Sequence, residues 1–239
     1  MGLQGAFLEN LEGSYDNFQQ YWQENTDDER HVVKSDIHHR HIHIKIKKID
    51  SYRNTFRFSV YEGRNNEDHL EDVEITIADN DILSTDDGII IMNDSIEIKD
   101  DTLYFSNFGS IECDGTHPYK AIKCRFFSGW IEYPNPNNEE DIYALRNLEI
   151  HDQGGAIELD VEGVDYTVEL TQLVFAHKIF IMKLAIYDIP MKDLDINSTA
   201  ISYTWTNPEA KRLGINLRKV ISGWTLIEPN MLNSNNLKT

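Results

Sequence analysis

Two stretches of the chain are nearly copies of each other: CRFFSGWIEYPN spans Cys124–Asn135, and RKVISGWTLIEPN spans Arg218–Asn230. Each combines the β-branched and aromatic residues typical of a strand with an interior glycine, a tryptophan and a closing Pro-Asn. Glycine inside a strand pattern indicates a bulge or a bend, and proline ends a ladder because it lacks an N–H donor. The copies predict an internal duplication, with matched bends at Gly129–Trp130 and Gly223–Trp224.

The chain around these copies also reads as short strands. Ile37–Ile49 alternates strictly, with Ile42, Ile44 and Ile46 on one face. Further strands are predicted at 55–62, 73–78, 88–92, 95–99, 102–107, 119–133, 145–151, 156–162, 165–170, 173–187, 200–206 and 217–227. This spacing is typical of a sandwich or an antiparallel barrel, and closure into a barrel removes exposed sheet edges. We predict an all-β, antiparallel barrel of the calycin or lipocalin type, built from two related halves.

An amphipathic helix is predicted ahead of the strands. Apolar side chains recur at three- and four-residue steps over residues 3–26, although Gly13 could split the segment in two. A Pro- and Asn-rich run after Tyr133 is the clearest connector. The predicted organisation is therefore a helical segment (1–36), a first β half (37–134), a connector (135–141), a second β half (142–229) and a flexible tail (230–239).

Composition limits the class of partner. The 239 residues carry a formal net charge of −19, which argues against nucleic acid because phosphate binding needs a basic surface. No apolar run approaches the ~18 residues of a membrane span, and the N-terminus does not resemble a signal peptide. We expect a soluble, cytoplasmic protein without a membrane span, in which Cys113 and Cys124 are reduced thiols. A homo-oligomer is left open.

Three histidines on one strand face are the first candidate site. His39, His41 and His43 would project to the same side about 7 Å apart, too far for one metal ion to bind all three without a bend. The preferred interpretation is a solvated strand face. If the face binds a ligand, an anion such as a carboxylate suits it better than a metal, with Arg40 beside it. We predict neither a metal nor a cofactor.

Aromatic residues are the second candidate. Trp130 and Trp224, from the twin stretches, could line a cavity for a flat or lipophilic ligand, although filling the core is the commoner role of such side chains. No serine-hydrolase elbow, phosphate-binding loop or dinucleotide fingerprint occurs in the sequence. The sequence therefore assigns no catalytic residue.

The N-terminal third resembles the T-type bilin lyases, which attach chromophores to phycobiliproteins. The resemblance rests on Gly13–Gln20, which fits a Gly-x-aromatic-x-Asn-x-x-Gln pattern, and on the His-Ile strand Arg40–Ile44. It covers roughly residues 8–62. It implies a calycin-like antiparallel barrel that holds an open-chain tetrapyrrole in its mouth, and no catalytic residue is carried over.

Three functional hypotheses follow. The first is a β-barrel that binds a hydrophobic or pigment-like small molecule, with chaperone or lyase activity as an extension. The second is a lipocalin-like cyclase or isomerase, in which an apolar pocket shapes the substrate and one residue does acid–base work. The third is a non-catalytic, acidic assembly protein. A packed barrel interior and a buried titratable group are the observations that would separate them.

Overall fold

The computed structural model describes residues 8, 11–26, 38–50, 52–64, 68–78, 82–85, 88–91, 96–99, 101–108, 111–112, 117–135, 138–161, 163–175, 179–216 and 220–228. Strands make up 66% of the structure, and one α-helix, near the N-terminus, has its bounds within the described residues, so the predicted all-β class is confirmed. The chain forms two compact units. Unit 1 is Met1–Asp27 with Val33–Cys124, and unit 2 is Asp28–Val32 with Arg125–Thr239. No helix among the residues that the structure describes is long and apolar enough to cross a bilayer.

Unit 1 is built on a nine-stranded sheet that curls strongly into an antiparallel half-barrel. The strands of the unit are β1 (Gly13–Asp16), β2 (Ile42–Asp50), β3 (Thr55–Glu62), β4 (Asp68–Thr76), β5 (Ile82–Thr85), β6 (Gly88–Ile91), β7 (Ile96–Lys99), β8 (Thr102–Phe105), β9 (Asn107–Phe108), β10 (Ile111–Glu112) and β11 (Tyr119–Lys123). The order in the large sheet is β4-β3-β2-β1-β11-β8-β7-β6-β5, and β9 pairs with β10 separately.

The inner face of this sheet is a packed apolar core. Alternate residues of neighbouring strands meet there, as where Ile44 lies opposite Val60 and Ile46 opposite Phe58. One contiguous cluster contains Leu8, Leu11, Tyr15, Ile42, Ile44, Ile46, Phe56, Phe58, Val60, Ile75, Ile77, Ile96, Leu103, Phe105, Tyr119 and Ala121. Because these side chains contact one another, the described part of the half-barrel is filled by the protein itself.

The helix predicted over residues 3–26 is interrupted by a strand that begins at Gly13, the residue at which a split was anticipated, and Leu8 and Leu11 before that strand are helical. Helix α1 covers Phe18–Asn25, whereas β1 pairs with both β2 and β11. The three- and four-residue spacing of the aromatic residues predicted one helix, but Tyr15 belongs to β1 and Phe18 belongs to α1. The Tyr15 ring belongs to the core of the sheet, while Phe18 opens the helix. Most of residues 3–12 lie outside the described ranges.

Unit 2 contains two four-stranded antiparallel sheets. Its strands are β12 (Phe126–Asn135), β13 (Asn138–His151), β14 (Gln153–Val161), β15 (Val164–Phe175), β16 (Ile179–Tyr187), β17 (Ser202–Thr206), β18 (Arg212–Asn216) and β19 (Ile221–Leu226). The strand orders are β13-β12-β19-β18 and β14-β15-β16-β17. Side chains from both sheets form one buried cluster, so the sheets pack face to face. The cluster comprises Phe127, Ile131, Ile150, Leu159, Val168, Leu170, Met182, Leu184, Ile186, Ile215, Val220 and Trp224.

The twin stretches are neighbours in the first of these sheets. β12 and β19 pair antiparallel, with Gly129 opposite Trp224 and Trp130 opposite Gly223. A Cβ atom at Gly129 would lie 2.3 Å from the Trp224 ring, and one at Gly223 would lie 2.9 Å from the Trp130 ring. Each glycine therefore makes room for the tryptophan of the other copy. The repeat relates two neighbouring strands of unit 2.

A β-bulge lies beside Trp130, but in the partner strand β13 and not in the twin stretch itself, because two residues of β13 stand opposite Trp130. The pairing of β12 with β13 shifts register between Gly129 and Ile131, where Asn147 of β13 has a positive φ of 56°. This is the geometry of a β-bulge. Gly129 and Gly223 both stand in regular register where β12 pairs with β19, and Gly223 also where β19 pairs with β18, so neither twin stretch carries the extra residue.

The division between the units falls at Cys124–Arg125, ahead of the predicted connector 135–141. Of the predicted connector, Asn135 ends β12 and residues 138–141 begin β13, which pairs antiparallel with β12. Cys124 is a buried thiol that forms no disulfide with any described residue. Cys113, the tail 230–239 and most of the predicted helical segment 1–36 lie outside the described residues.

Candidate acid–base site

The junction between β1 and α1 is fixed by Asn17. Its Oδ1 accepts a hydrogen bond from the Ile42 backbone N–H at 2.8 Å, and its Nδ2 donates to the Arg40 carbonyl at 2.8 Å. The backbone N–H of Asn17 also donates to the Ile42 carbonyl at 3.2 Å. The side-chain amide thus continues the β1–β2 ladder past the end of β1. This places the start of the helix beside the histidines that precede and open β2.

Replacing Asn17 by alanine should destabilise unit 1 by about 2 kcal/mol, because two buried backbone groups lose their partner. Hydrogen exchange at Ile42 should quicken correspondingly. Asn25→Ala is the matched control, since the Asn25 amide only donates to the Tyr21 carbonyl at the exposed end of α1. Equal effects of the two substitutions on Ile42 exchange would contradict this role of Asn17.

The carboxylate of Asp16 is the centre of the site. It is fully buried at the end of β1, where its register partner is His43 on β2. Oδ1 accepts from Nε2 of His41 at 2.9 Å and from the Phe18 backbone N–H at 2.7 Å. Oδ2 accepts from Nδ1 of His43 at 3.0 Å. Both carboxylate oxygens are therefore occupied by protons from imidazole or backbone donors.

The electrostatics of Asp16 follow from these contacts. Burial alone favours the neutral acid, but the charge and hydrogen bond of His41, together with those of His43, outweigh it. They hold the pKa of Asp16 well below its usual range. The carboxylate is therefore anionic at neutral pH. A buried anion between two imidazoles can stabilise a positive charge on either ring.

His41 has one ring nitrogen available. Nε2 is bonded to Asp16, and no residue within the described ranges hydrogen bonds to Nδ1. The ring stacks on Tyr21 of α1, with centroids 5.3 Å apart and planes inclined by 17°. The Phe18 ring meets it edge-on at 5.6 Å. Asp16 thus selects the tautomer that leaves the Nδ1 lone pair basic, and the two aromatic rings hold the imidazole in place.

A second carboxylate–histidine pair lies at the same end of unit 1. Nδ1 of His39 contacts Glu24 of α1 at 2.9 Å, and Nε2 contacts the His117 carbonyl at 2.9 Å. Gln20 ties the helix to the start of β11, because its Oε1 accepts from the Lys120 N–H and its Nε2 donates to the Pro118 carbonyl. The helix therefore closes this end of the sheet through polar bonds.

A row of polar and aromatic side chains links the buried centre to the surface. Asp16, His43, Tyr61 and His69 are successive register partners across β1, β2, β3 and β4, so their side chains share one face of the sheet. The ring centroids of Tyr61 and His69 lie 5.2 Å apart. His69 is half exposed and pairs with Asp72 at 3.2 Å. The row thus runs from the buried carboxylate to a half-exposed histidine.

The structure brings together three of the six predicted site residues. His39, His41 and His43 are all buried, so the preferred interpretation of a solvated strand face is wrong. The prediction placed the start of β2 too early, at residue 37, and did not anticipate that α1 would cover the histidines. Arg40 points outward and pairs with Glu62 at 3.2 Å, with about half of its side chain exposed.

The two tryptophans belong to unit 2 and not to the histidine cluster. Trp224 is buried in the core, where its Nε1 donates to the Ser222 hydroxyl at 3.2 Å. The half-buried Trp130 ring lies 5.3 Å from the Arg146 guanidinium carbon. These contacts favour the core-filling role for Trp224 and a stacking role for Trp130.

Sequence reasoning missed Asp16, Glu24 and Tyr21. The signal for Asp16 was the Gly-Ser-Tyr-Asp run of β1, in which an acidic residue directly follows a buried tyrosine. It was overlooked because the run was assigned to a helix. Glu24 carried no local signal, since its partner His39 lies 15 positions further along the chain.

Comparison with known proteins yields no relative for this chain. No protein-family model matches it, and no significant match is found among curated proteins or solved structures. The geometry of the site and the resemblance of residues 8–62 to the T-type bilin lyases are therefore what bears on function.

Proposed function

We propose that unit 1 binds an apolar small molecule bearing carboxylates, of the open-chain tetrapyrrole type, at its helix-capped end, and that His41 exchanges a proton with it. The observation that carries the proposal is the Asp16–His41 pair. Asp16 accepts a hydrogen bond from Nε2–H of His41. Nδ1 of His41 is therefore the nitrogen that can act as a base, and the buried anion orients the ring. This is the division of labour by which a carboxylate orients a catalytic imidazole and stabilises its protonated form.

Energetics also favour a functional role over a structural one. A buried ion pair or hydrogen-bonded charge is often no more stabilising than apolar residues of the same volume. This end of unit 1 nevertheless buries three imidazoles and the Asp16 carboxylate next to an otherwise apolar core. Clusters of titratable groups with perturbed pKa values accumulate at functional sites. Asp16, whose pKa is lowered, is such a group, and both histidines hydrogen bond to it.

The class of ligand follows from the surroundings of His41 and from the bilin-lyase resemblance. Because the inner face of the sheet is packed, the ligand would lie over Tyr21 and His41, at the capped end. Tyr21 and Phe18 offer aromatic surface there. The guanidinium carbon of Arg64 lies 5.1 Å from the Phe18 ring centroid, which adds a cation suited to a carboxylate. An isomerase or cyclase would use the same base on a different apolar substrate.

Titration with biliverdin tests the proposal. We expect a shifted absorption spectrum with a micromolar dissociation constant, and His41→Gln should retain binding while losing the spectral change that accompanies protonation of the bound pigment. His69→Gln is the matched control, because that ring is exposed and lies at the far end of the row. Absence of binding at tens of micromolar would overturn the ligand class, and an unchanged pH response in His41→Gln would overturn the role of His41.

A further inference from the structure

An exposed apolar stripe runs along β17 in unit 2. Ile201, Tyr203 and Trp205 alternate on one side, and each is about half exposed. The Tyr203 and Trp205 rings stack with centroids 5.6 Å apart. On β16, Tyr203 pairs with Ala185 and Trp205 pairs with Lys183. The stripe therefore lies on the outer face of the sheet, away from the core residues Leu184 and Met182.

β17 is also an edge strand. Among the described strands it pairs with β16 alone, and it ends the order β14-β15-β16-β17. Natural edge strands are commonly protected from pairing by lysine, by proline or by an inward-pointing charge. The five residues of β17, Ser-Tyr-Thr-Trp-Thr, include none of these and all but serine favour strands. This edge therefore lacks the usual protection against another strand.

The distribution of charge along the chain indicates which partner β17 can bind. Ile196–Pro208 is the longest uncharged run of a chain whose net charge is −19 and in which 26% of residues are charged. Two such acidic chains repel each other over most of their surfaces, and the repulsion is least where both are neutral. A basic partner would gain nothing from an uncharged strand and would favour the acidic surface instead.

We infer that β17 pairs antiparallel with β17 of a second copy of this chain, about a twofold axis at Thr204. In that register Tyr203 of one copy lies opposite Trp205 of the other, and Ser202 lies opposite Thr206. Aromatic cross-strand pairs of this kind stabilise antiparallel sheets. The two sheets would join into one of eight strands, and the stripes would form one aromatic patch. This inference is independent of the proposed function of unit 1.

The association should be weak, because five-residue edges bury less area than a stable interface needs. We expect a dissociation constant on the order of 10–100 μM by sedimentation velocity. Raising the ionic strength from about 0.01 M to about 0.15 M shortens the Debye length from ~30 Å to ~8 Å and should tighten the dimer. Trp205→Lys should weaken it by about 10-fold or more. Tyr52→Lys, at a fully exposed tyrosine of unit 1, should have no effect.

Cross-linking tests the register, in a chain carrying Cys113→Ser. Thr204→Cys should form a disulfide-linked dimer on mild oxidation, since directly opposed residues of antiparallel strands lie about 4.5–5.5 Å apart at Cα. Ser202→Cys alone should not, because its opposite number is Thr206. A protein that stays monomeric at all concentrations, a dimer indifferent to Trp205→Lys, or equal cross-linking of both cysteine variants would each overturn the inference.

Discussion

Replacing Asp16 by alanine will lower the free energy of unfolding of unit 1 by about 3–5 kcal/mol, because it removes one partner from a buried, charged network. The side-chain N–H groups of His41 and His43 and the backbone N–H of Phe18 would all lose their acceptor inside the protein. Urea denaturation monitored by hydrogen exchange of the β2 peptides would measure the loss in unit 1 alone.

Asp72→Ala supplies the control for this substitution. Asp72 also pairs with a histidine, His69, but both side chains are about half exposed. Water replaces the lost partner there, so the free energy of unfolding should hardly change. If the two alanine variants lose similar stability, the Asp16 network does not have the buried character described above.

The same carboxylate determines how stability depends on pH. Because the pKa of Asp16 is lower in the folded than in the unfolded protein, its contribution is present above the ordinary aspartate pKa of about 3.9. It is lost as the pH falls towards the folded-state pKa. Stability of the wild-type unit 1 should therefore decline below about pH 4 more steeply than that of Asp16→Asn. Parallel declines would contradict the lowered pKa.

Gly129→Ala will strongly destabilise unit 2, with an expected loss of about 3 kcal/mol. The added Cβ would lie 2.3 Å from Cε3 of Trp224 and 2.6 Å from the Gly223 carbonyl oxygen. Neither neighbour can yield easily, because Trp224 is almost fully buried and the second contact is backbone. Thermal or urea unfolding followed by tryptophan fluorescence measures the loss.

The twin position provides a comparison with the same chemistry. In Gly223→Ala the new Cβ would meet the Trp130 ring at 2.9 Å, and that ring is only half buried. It can move towards solvent, so we expect a loss of about 1 kcal/mol. A Gly223→Ala variant as unstable as Gly129→Ala would show that ring mobility is not what distinguishes the two positions.

Much of the fold could be predicted from local patterns. The alternation of Ile42, Ile44 and Ile46 placed their side chains on one face of a strand, and that prediction is confirmed, since all three share the core of unit 1. The helix boundaries were wrong because aromatic spacing does not reveal whether Tyr15 and Phe18 pack in one element. Strand partners could not be predicted either, since the pairing of β12 with β19 depends on contacts far apart in sequence.

The site was predicted only in part, for a related reason. The histidines were conspicuous as residue types, but their burial depends on α1, which covers them from a distant part of the chain. Glu24 and Gln20 approach His39 only after the helix docks. Local sequence thus identified candidate groups, whereas their partners, and with them their charge and tautomer, are properties of the tertiary structure.

The pairing of the twin strands also has a consequence for the order of folding. β12 opens unit 2 and β19 is the last strand described, so their pairing closes a loop that spans nearly the whole unit. Pairing at such separation is entropically expensive and slow. During synthesis the sheet cannot be completed until Trp224 has left the ribosome. Until then β12 has a partner on one edge only, β13, and the opposite edge stays open to other strands.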